Sequence, residues 1–280
     1  MRTGPFLRTT CRTVSLTLGA AALLAAASGC SAAERTSASE ADVTGDVTGD
    51  VTGERGVVVP LSSLSVDGTS GQLAFSYSTG GGCAEHKPEA ALTLAEGEFS
   101  WAATVTVSDV ASAPDYCEAL LHLDGTADLH RLITSAAERE GTDLTGQAVS
   151  VRLPALSLVV GTSAGAPAAA PRGAPLEDMS SMSFDPGTGR LSFGYRIGGG
   201  CATHTPATSV ELEKRDEYTY VAKLRVFDVP AAEDSCEALL SINGSADLPT
   251  LVADAAKAAN VDLQGRTVTL ELPAVSVLAP

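Results

Sequence analysis

The 280-residue sequence is short of aromatic and basic residues, and these shortages limit its partners. Phe, Trp and Tyr make up 4% of the chain, and 18 Lys and Arg residues stand against 34 Asp and Glu residues. No basic patch interleaved with aromatic residues occurs, and an acidic chain repels a phosphate backbone. Nucleic acid is therefore not expected as a partner.

The sequence also lacks the usual signatures of catalysis. No two of its six cysteines have the C-x-x-C spacing of a thiol–disulfide exchanger. The string GTSAG at 161–165 fits the G-x-S-x-G nucleophile pattern, but the Pro- and Ala-rich residues after Ser163 cannot form the helix that this motif needs. We predict no catalytic residue, no cofactor and a protein that is not an enzyme. Of three hypotheses for the function of the protein, an enzyme of unrecognised type ranks last.

The N-terminus has the layout of a secretory signal over residues 1–29, with three arginines, no acid and an apolar run that ends in small residues. The junction AASGC resembles the lipobox of bacterial lipoproteins, which implies cleavage before Cys30 and attachment of diacylglycerol to its sulfur. Two acyl chains suffice for stable membrane anchoring. The alternatives are a cleaved signal without lipid and an uncleaved membrane helix over about residues 13–33.

The rest of the chain divides into a tether and two copies of one unit. Residues 30–56 contain VTGD, VTGD and VTGE and few large apolar residues, which predicts a flexible acidic tether. Residues 57–160 and 174–280 repeat each other, because Cys83 precedes Cys201 by 118 positions and Cys117 precedes Cys236 by 119. An Ala/Pro/Gly linker, residues 161–173, separates the copies.

Each copy is predicted to be β-rich with one packed α-helix. Apolar residues alternate with polar ones around Leu73 and again around Leu191, and similar runs follow in both copies. One helix is predicted in each copy, with Asp128 and Asp247 as N-caps. The fold class is therefore all-β or α+β, with two tandem antiparallel domains. Two copies are too few for a solenoid, so each is expected to be self-contained.

The cysteine pair in each copy predicts a disulfide in an extracytoplasmic protein, and the natural pairing is Cys83 with Cys117 and Cys201 with Cys236. In each copy the first cysteine directly follows a run of three glycines. Such a run suits a sharp turn in which residues adopt positive φ or let another backbone approach closely.

A histidine follows three residues after the first cysteine of each copy, at His86 and His204. One hypothesis is a zinc or copper site made with the cysteines and a carboxylate, and two sets of carboxylates are candidates. These are Asp115 with Asp234, and Asp109 with Asp228. The alternative is a structural histidine that hydrogen-bonds the turn backbone beside the disulfide.

The strings GGGCAEH and DYCEALL of the first copy, and GGGCATH and DSCEALL of the second, resemble an uncharacterised domain of bacterial lipoproteins and secreted proteins. The resemblance covers nearly all of each copy and implies a β-rich domain of the cell envelope, without a catalytic role. Its signature falls on Gly81, Gly82, Cys83, His86, Asp115 and Cys117, and on Gly199, Gly200, Cys201, His204, Asp234 and Cys236.

These observations predict a lipoprotein of the bacterial cell envelope, anchored through Cys30 and facing out of the cytoplasm. Loss of residues 1–29 removes three basic residues and no acid, which leaves a net charge of −19. We expect a binding or structural protein whose partner is a protein or a glycan. The second hypothesis is a metal-handling lipoprotein that uses the two Cys-x-x-His turns.

Overall fold

The computed structural model describes residues 56–97, 100–114, 116–163, 171, 173, 175–198, 201–216, 219–232 and 238–280. The predicted signal, the lipidation site Cys30, the tether and most of the linker lie outside these residues. So do Asp115, Asp234 and Cys236. In the part of the chain that is described, no helix is both long and apolar enough to cross a membrane.

The described chain is β-rich, with one helix in each copy, as the sequence predicts. The first copy contains β1 (Val57–Val58), β2 (Leu61–Asp67), β3 (Gln72–Gly81), β4 (His86–Glu96), β5 (Trp101–Ala111), β6 (Ala119–Asp128), α1 (Leu129–Glu140), β7 (Ala148–Arg152) and β8 (Leu156–Val159). The second contains β9 (Asp178–Met179), β10 (Ser181–Asp185), β11 (Arg190–Gly198), β12 (His204–Lys214), β13 (Tyr220–Pro230), β14 (Leu239–Asp247), α2 (Leu248–Ala258), β15 (Thr267–Glu271) and β16 (Ala274–Leu278).

Local sequence explains where these elements begin and end. Leu73, Phe75 and Tyr77 are buried while the residues between them are more exposed, as the alternation in β3 predicts. Asp128 caps α1 by accepting a hydrogen bond from the Arg131 backbone N–H, and Asp247 caps α2 in the same way. The one-residue insertion in the second copy falls in the turn between β12 and β13, as expected of a hairpin tip.

Both sheets contain strands from both copies. The ten-stranded sheet runs β12-β13-β15-β8-β2-β10-β11-β14, with β3 attached to β2 and β6 attached to β3. The six-stranded sheet runs β1-β5-β7-β16-β9, with β4 attached to β5. The ends of the first path, β12 and β14, contact each other, so that path forms a nearly closed barrel. Strands β4 and β6, the equivalents of β12 and β14 in the first copy, also contact each other.

The two copies are related by a pseudo-twofold axis through the β2–β10 pair. Ser65 lies opposite Ser183, which is its own equivalent in the second copy. On one side of this pair Leu64 lies opposite Phe184, which is the equivalent of Val66. On the other side Val66 lies opposite Met182, which is the equivalent of Leu64. The last strands follow the same symmetry, because β8 pairs with β15 and β16 pairs with β7.

The structure differs in two ways from the expectation of two self-contained antiparallel domains. First, β8 and β16 each join the other copy, and the buried apolar residues of both copies form one core. Second, four pairings are parallel, namely β2–β8, β5–β7, β9–β16 and β13–β15. The physical reason is that the buried faces of both copies close over one core, and no local signal ties β8 or β16 to its own copy. The chain changes sheet at Pro154 and at Pro273, residues that have no N–H for a ladder.

Candidate functional site

A tyrosine, a histidine and an aspartate meet inside the first copy. Asp109, on β5, accepts a hydrogen bond from the Tyr77 hydroxyl with one carboxylate oxygen at 3.0 Å. Its other oxygen accepts from Nδ1 of His86, the first residue of β4, at 2.7 Å. Because β3 belongs to one sheet and β4 and β5 to the other, these bonds join the two sheets.

The second copy builds the same group from equivalent residues. Asp228, on β13, accepts from the Tyr195 hydroxyl at 2.8 Å and from His204 Nδ1 at 2.6 Å. We call each group a Tyr–Asp–His bridge. The side chains of His86 and His204 are only 4% and 3% exposed, and the aspartates are similarly buried. Charge-assisted hydrogen bonds inside a protein are strong, so each bridge fixes three strands in one geometry.

The electrostatics of the bridges keep both phenols neutral. Burial raises the pKa of Tyr77 well above its usual value, and the hydrogen bond and negative charge of Asp109 raise this pKa further. The pKa of Tyr195 is raised in the same way by burial and by Asp228. A neutral phenol is a hydrogen-bond donor to carboxylate, and it is a poor nucleophile.

A disulfide lies next to the first bridge. Cys83 and Cys117 are bonded, with Cα atoms 5.7 Å apart, as the sequence predicts. Cys201 is also in a disulfide, and its predicted partner Cys236 lies outside the described residues. The adjacent Gly81 and Gly82 have φ values of 144° and 120°, which explains two glycines of the first run.

The structure describes one of the two carboxylate sets that the sequence leaves open. Asp109 and Asp228 lie against the two histidines, whereas Asp115 and Asp234 lie outside the described residues. The histidines therefore bond a carboxylate and not only the turn backbone. Among the residues that the structure describes, no three His, Cys, Asp or Glu side chains are grouped so that they could hold a metal ion.

The tyrosines of the bridges were not predicted as site residues. Sequence alternation assigns Tyr77 and Tyr195 to the core, and both are in fact buried there. The signal that could have found them is their polar tip, because a buried tyrosine hydroxyl usually requires a hydrogen-bond partner. The same residue type at the same position in both copies points to a shared partner of that kind.

The arrangement resembles part of a catalytic triad only in its His–Asp pair. In a triad the histidine activates a nucleophile and the aspartate orients the histidine. Here both carboxylate oxygens already accept hydrogen bonds, one of them from a tyrosine. Surface clefts of about 360 Å³ beside α2 and about 240 Å³ beside α1 contain no bridge residue. The geometry is that of a buried structural cross-link.

No protein-family model, no curated protein and no solved structure matches this chain.

Proposed function

We propose that this protein is a lipid-anchored binding protein of the bacterial cell envelope, without enzymatic activity. Cys30 would carry the lipid, the acidic tether would hold the folded part away from the membrane, and the surface of that folded part would contact a protein or glycan partner. The resemblance of both Cys-x-x-His motifs to a domain of bacterial lipoproteins agrees with this proposal.

One observation carries the proposal. In both copies the histidine next to the disulfide is buried and bonded to an aspartate that also holds a tyrosine. The most chemically versatile side chains of the repeated motif thus act as cross-links between strands. This leaves the outer surface, rather than an internal reaction centre, as the part of the molecule that meets other molecules.

Intact-mass spectrometry of the protein purified from bacterial membranes without reductant tests the proposal. We expect a mature chain that begins at Cys30, carries diacylglycerol and has all four remaining cysteines in disulfides. A Cys30→Ser variant is expected to leave the membrane fraction. Four free thiols together with co-purified zinc or copper would contradict the proposal and favour the metal-handling hypothesis.

The histidines provide a second readout of the same proposal. His86→Ala and His204→Ala are expected to lower the free energy of unfolding because each leaves a buried carboxylate oxygen without its partner. Metal content, measured by elemental analysis, should be the same in both variants as in the parent protein. A loss of metal without a loss of stability would instead identify the histidines as ligands.

A further inference from the structure

Two glycines, Gly80 and Gly198, occupy equivalent positions near the ends of β3 and β11 although their own surroundings do not require glycine. Neither has positive φ, and a Cβ atom at either position would meet no atom of the other described residues within 4 Å. Gly125 and Gly244, one strand away, are different. A Cβ atom there would lie only 2.6 Å and 2.5 Å from the rings of Phe75 and Phe193. The first pair therefore has no explanation in local conformation or packing.

An exposed leucine lies directly across the ladder from each of these glycines. Gly80 pairs with Leu120, and Gly198 pairs with Leu239. The two leucines are 66% and 70% exposed. Paired residues of neighbouring antiparallel strands point to the same face of the sheet. Each copy thus exposes a glycine backbone beside the leucine side chain of the paired strand. We call these two places, Gly80 with Leu120 and Gly198 with Leu239, the glycine–leucine tips.

The strand that carries each glycine also has an unpaired edge at its end. The β2 ladder along β3 ends at the Leu61–Tyr77 pair, and the β10 ladder along β11 ends at the Ser181–Gly194 pair. Beyond these points, within the described residues, each strand forms a ladder only with β6 or β14, although β9 also contacts β11 without forming a ladder. Alternate residues of an antiparallel strand direct N–H and C=O groups to opposite sides. The unpaired side therefore offers backbone hydrogen-bonding groups to an added strand.

We propose that each glycine–leucine tip binds an extended segment of a partner protein, which adds as a strand along the end of β3 or β11. An apolar side chain of that segment would cover the glycine backbone and pack against Leu120 or Leu239. The inference rests on the proposed binding function and names the class of partner. A polypeptide fits because it supplies N–H and C=O groups for the unpaired edge, which a lipid chain does not. The net charge of −19 expected for the mature chain favours a basic segment.

The topology places the two tips at opposite ends of the central β2–β10 pair. The β3 tip lies past the start of β2, and the β11 tip lies past the start of β10. Because β2 and β10 are antiparallel neighbours, their starts lie at opposite ends of the central pair. One molecule can therefore bind two copies of the same partner segment and bridge them.

A labelled peptide of alternating lysine and valine, titrated into the detergent-solubilised full chain, tests the inference. We expect two binding sites of similar affinity, and increased protection of the Ser78–Gly81 and Tyr195–Gly198 amides in hydrogen exchange. Leu239→Ser should leave one site. The double variant with Leu120→Ser should weaken binding at both sites by about tenfold or more, because a leucine contact is lost at each.

Two controls make the result specific. Val159→Ser alters an exposed apolar residue on β8, outside both tips, and should leave binding unchanged. Gly80→Val with Gly198→Val adds side chains into open space, so the protein should fold normally and bind the peptide less tightly.

Three outcomes would overturn the inference. They are equal binding by the Leu120→Ser, Leu239→Ser double variant, equal binding of a peptide with proline at alternate positions, and leucine-dependent binding of phosphatidylcholine vesicles in place of the peptide. None of these would change the lipid and disulfide masses that test the proposed function, so the two failures are distinguishable.

Discussion

At the level of single residues, the two bridge aspartates, Asp109 and Asp228, link buried strands within each copy. Each is a buried carboxylate that accepts hydrogen bonds from a tyrosine hydroxyl and a histidine ring. A buried charge is tolerated only when such partners satisfy it. In each copy the tyrosine, the histidine and the aspartate lie on three different strands. Each aspartate therefore couples the positions of those three strands.

Asp109→Asn is expected to lower the free energy of unfolding by about 2 to 4 kcal/mol. His86 Nδ1 and the Tyr77 hydroxyl bond different carboxylate oxygens, and an amide has an acceptor oxygen at only one of those two positions. Urea unfolding followed by circular dichroism measures the loss. Asp124→Asn, at an exposed position on the neighbouring β6, is the matched control and should change stability by less than about 0.5 kcal/mol. Equal effects of both substitutions would show that the bridge does not stabilise the fold.

The bridges also predict how stability depends on alkaline pH. The unfolded phenols of Tyr77 and Tyr195 ionise near a pKa of about 10, whereas burial and the adjacent aspartate raise the pKa of both folded phenols. Stability from these groups is therefore full below about pH 9. It falls above about pH 10, by up to roughly 1.4 kcal/mol per pH unit for each tyrosine.

Denaturant unfolding at a series of pH values between about 8 and 11 measures this slope. The Tyr77→Phe, Tyr195→Phe double variant serves as the comparison. It should be less stable at neutral pH, because two buried carboxylate oxygens lose a donor, and its stability should decline less steeply with alkali. An identical decline in both proteins would assign the alkaline sensitivity to other groups.

At the scale of elements, the last two strands of each copy determine the architecture. After β7 the chain passes Pro154 and places β8 between β15 and β2, in the other sheet. After β15 it passes Pro273 and places β16 beside β7. Each of these short strands buries alternate residues in a core built by both copies. Damage to one such strand should therefore destabilise both halves.

Leu156→Ala tests this expectation, because Leu156 on β8 is fully buried. We expect a loss of about 2 to 5 kcal/mol from the cavity and the lost apolar contacts. Unfolding should remain a single transition when it is followed separately by hydrogen exchange in each copy. Val159→Ala, three residues along the same strand but exposed, should have little effect. Loss of protection in the first copy alone would contradict the shared core.

At the scale of the whole molecule, the exchange of strands makes two copies into one folded unit. The pseudo-twofold axis at Ser65 and Ser183 relates nearly every pairing of one copy to a pairing of the other. The described residues form a single compact unit. The linker between the copies therefore supplies connection along the chain but is not what holds the halves together.

A cut in the linker tests this. A protease site inserted between residues 164 and 170, cleaved under native conditions, should leave two fragments that elute together in gel filtration at the position of the intact protein. They should separate only in denaturant. As a check on the cleavage itself, denaturing electrophoresis must show complete conversion to two fragments. Separation of the fragments without denaturant would mean that the halves are independent.

Much of the local structure was predictable because it depends on neighbours in sequence. The alternation in β3, the caps Asp128 and Asp247 and the Cys83–Cys117 pairing all follow from residue type and spacing. The histidines were recognised as candidates because they recur. Asp109 and Asp228 were considered only as metal ligands, and their direct hydrogen bonds to the histidines were not predicted. The tyrosines were missed as site residues because alternation alone explains why they are buried.

A β-rich chain of two equivalent copies, each with a capped helix and a cysteine pair, follows from the order of the amino acids alone. Periodicity and capping depend on residues close in sequence, and the repeat is visible by comparing the two copies. The pairing of the strands is set by the folded arrangement. The backbone N–H and C=O groups of a strand can form a ladder with a strand of the same copy or with a strand of the other copy. The choice depends on how all buried faces close over one core, and short-range sequence does not contain that information.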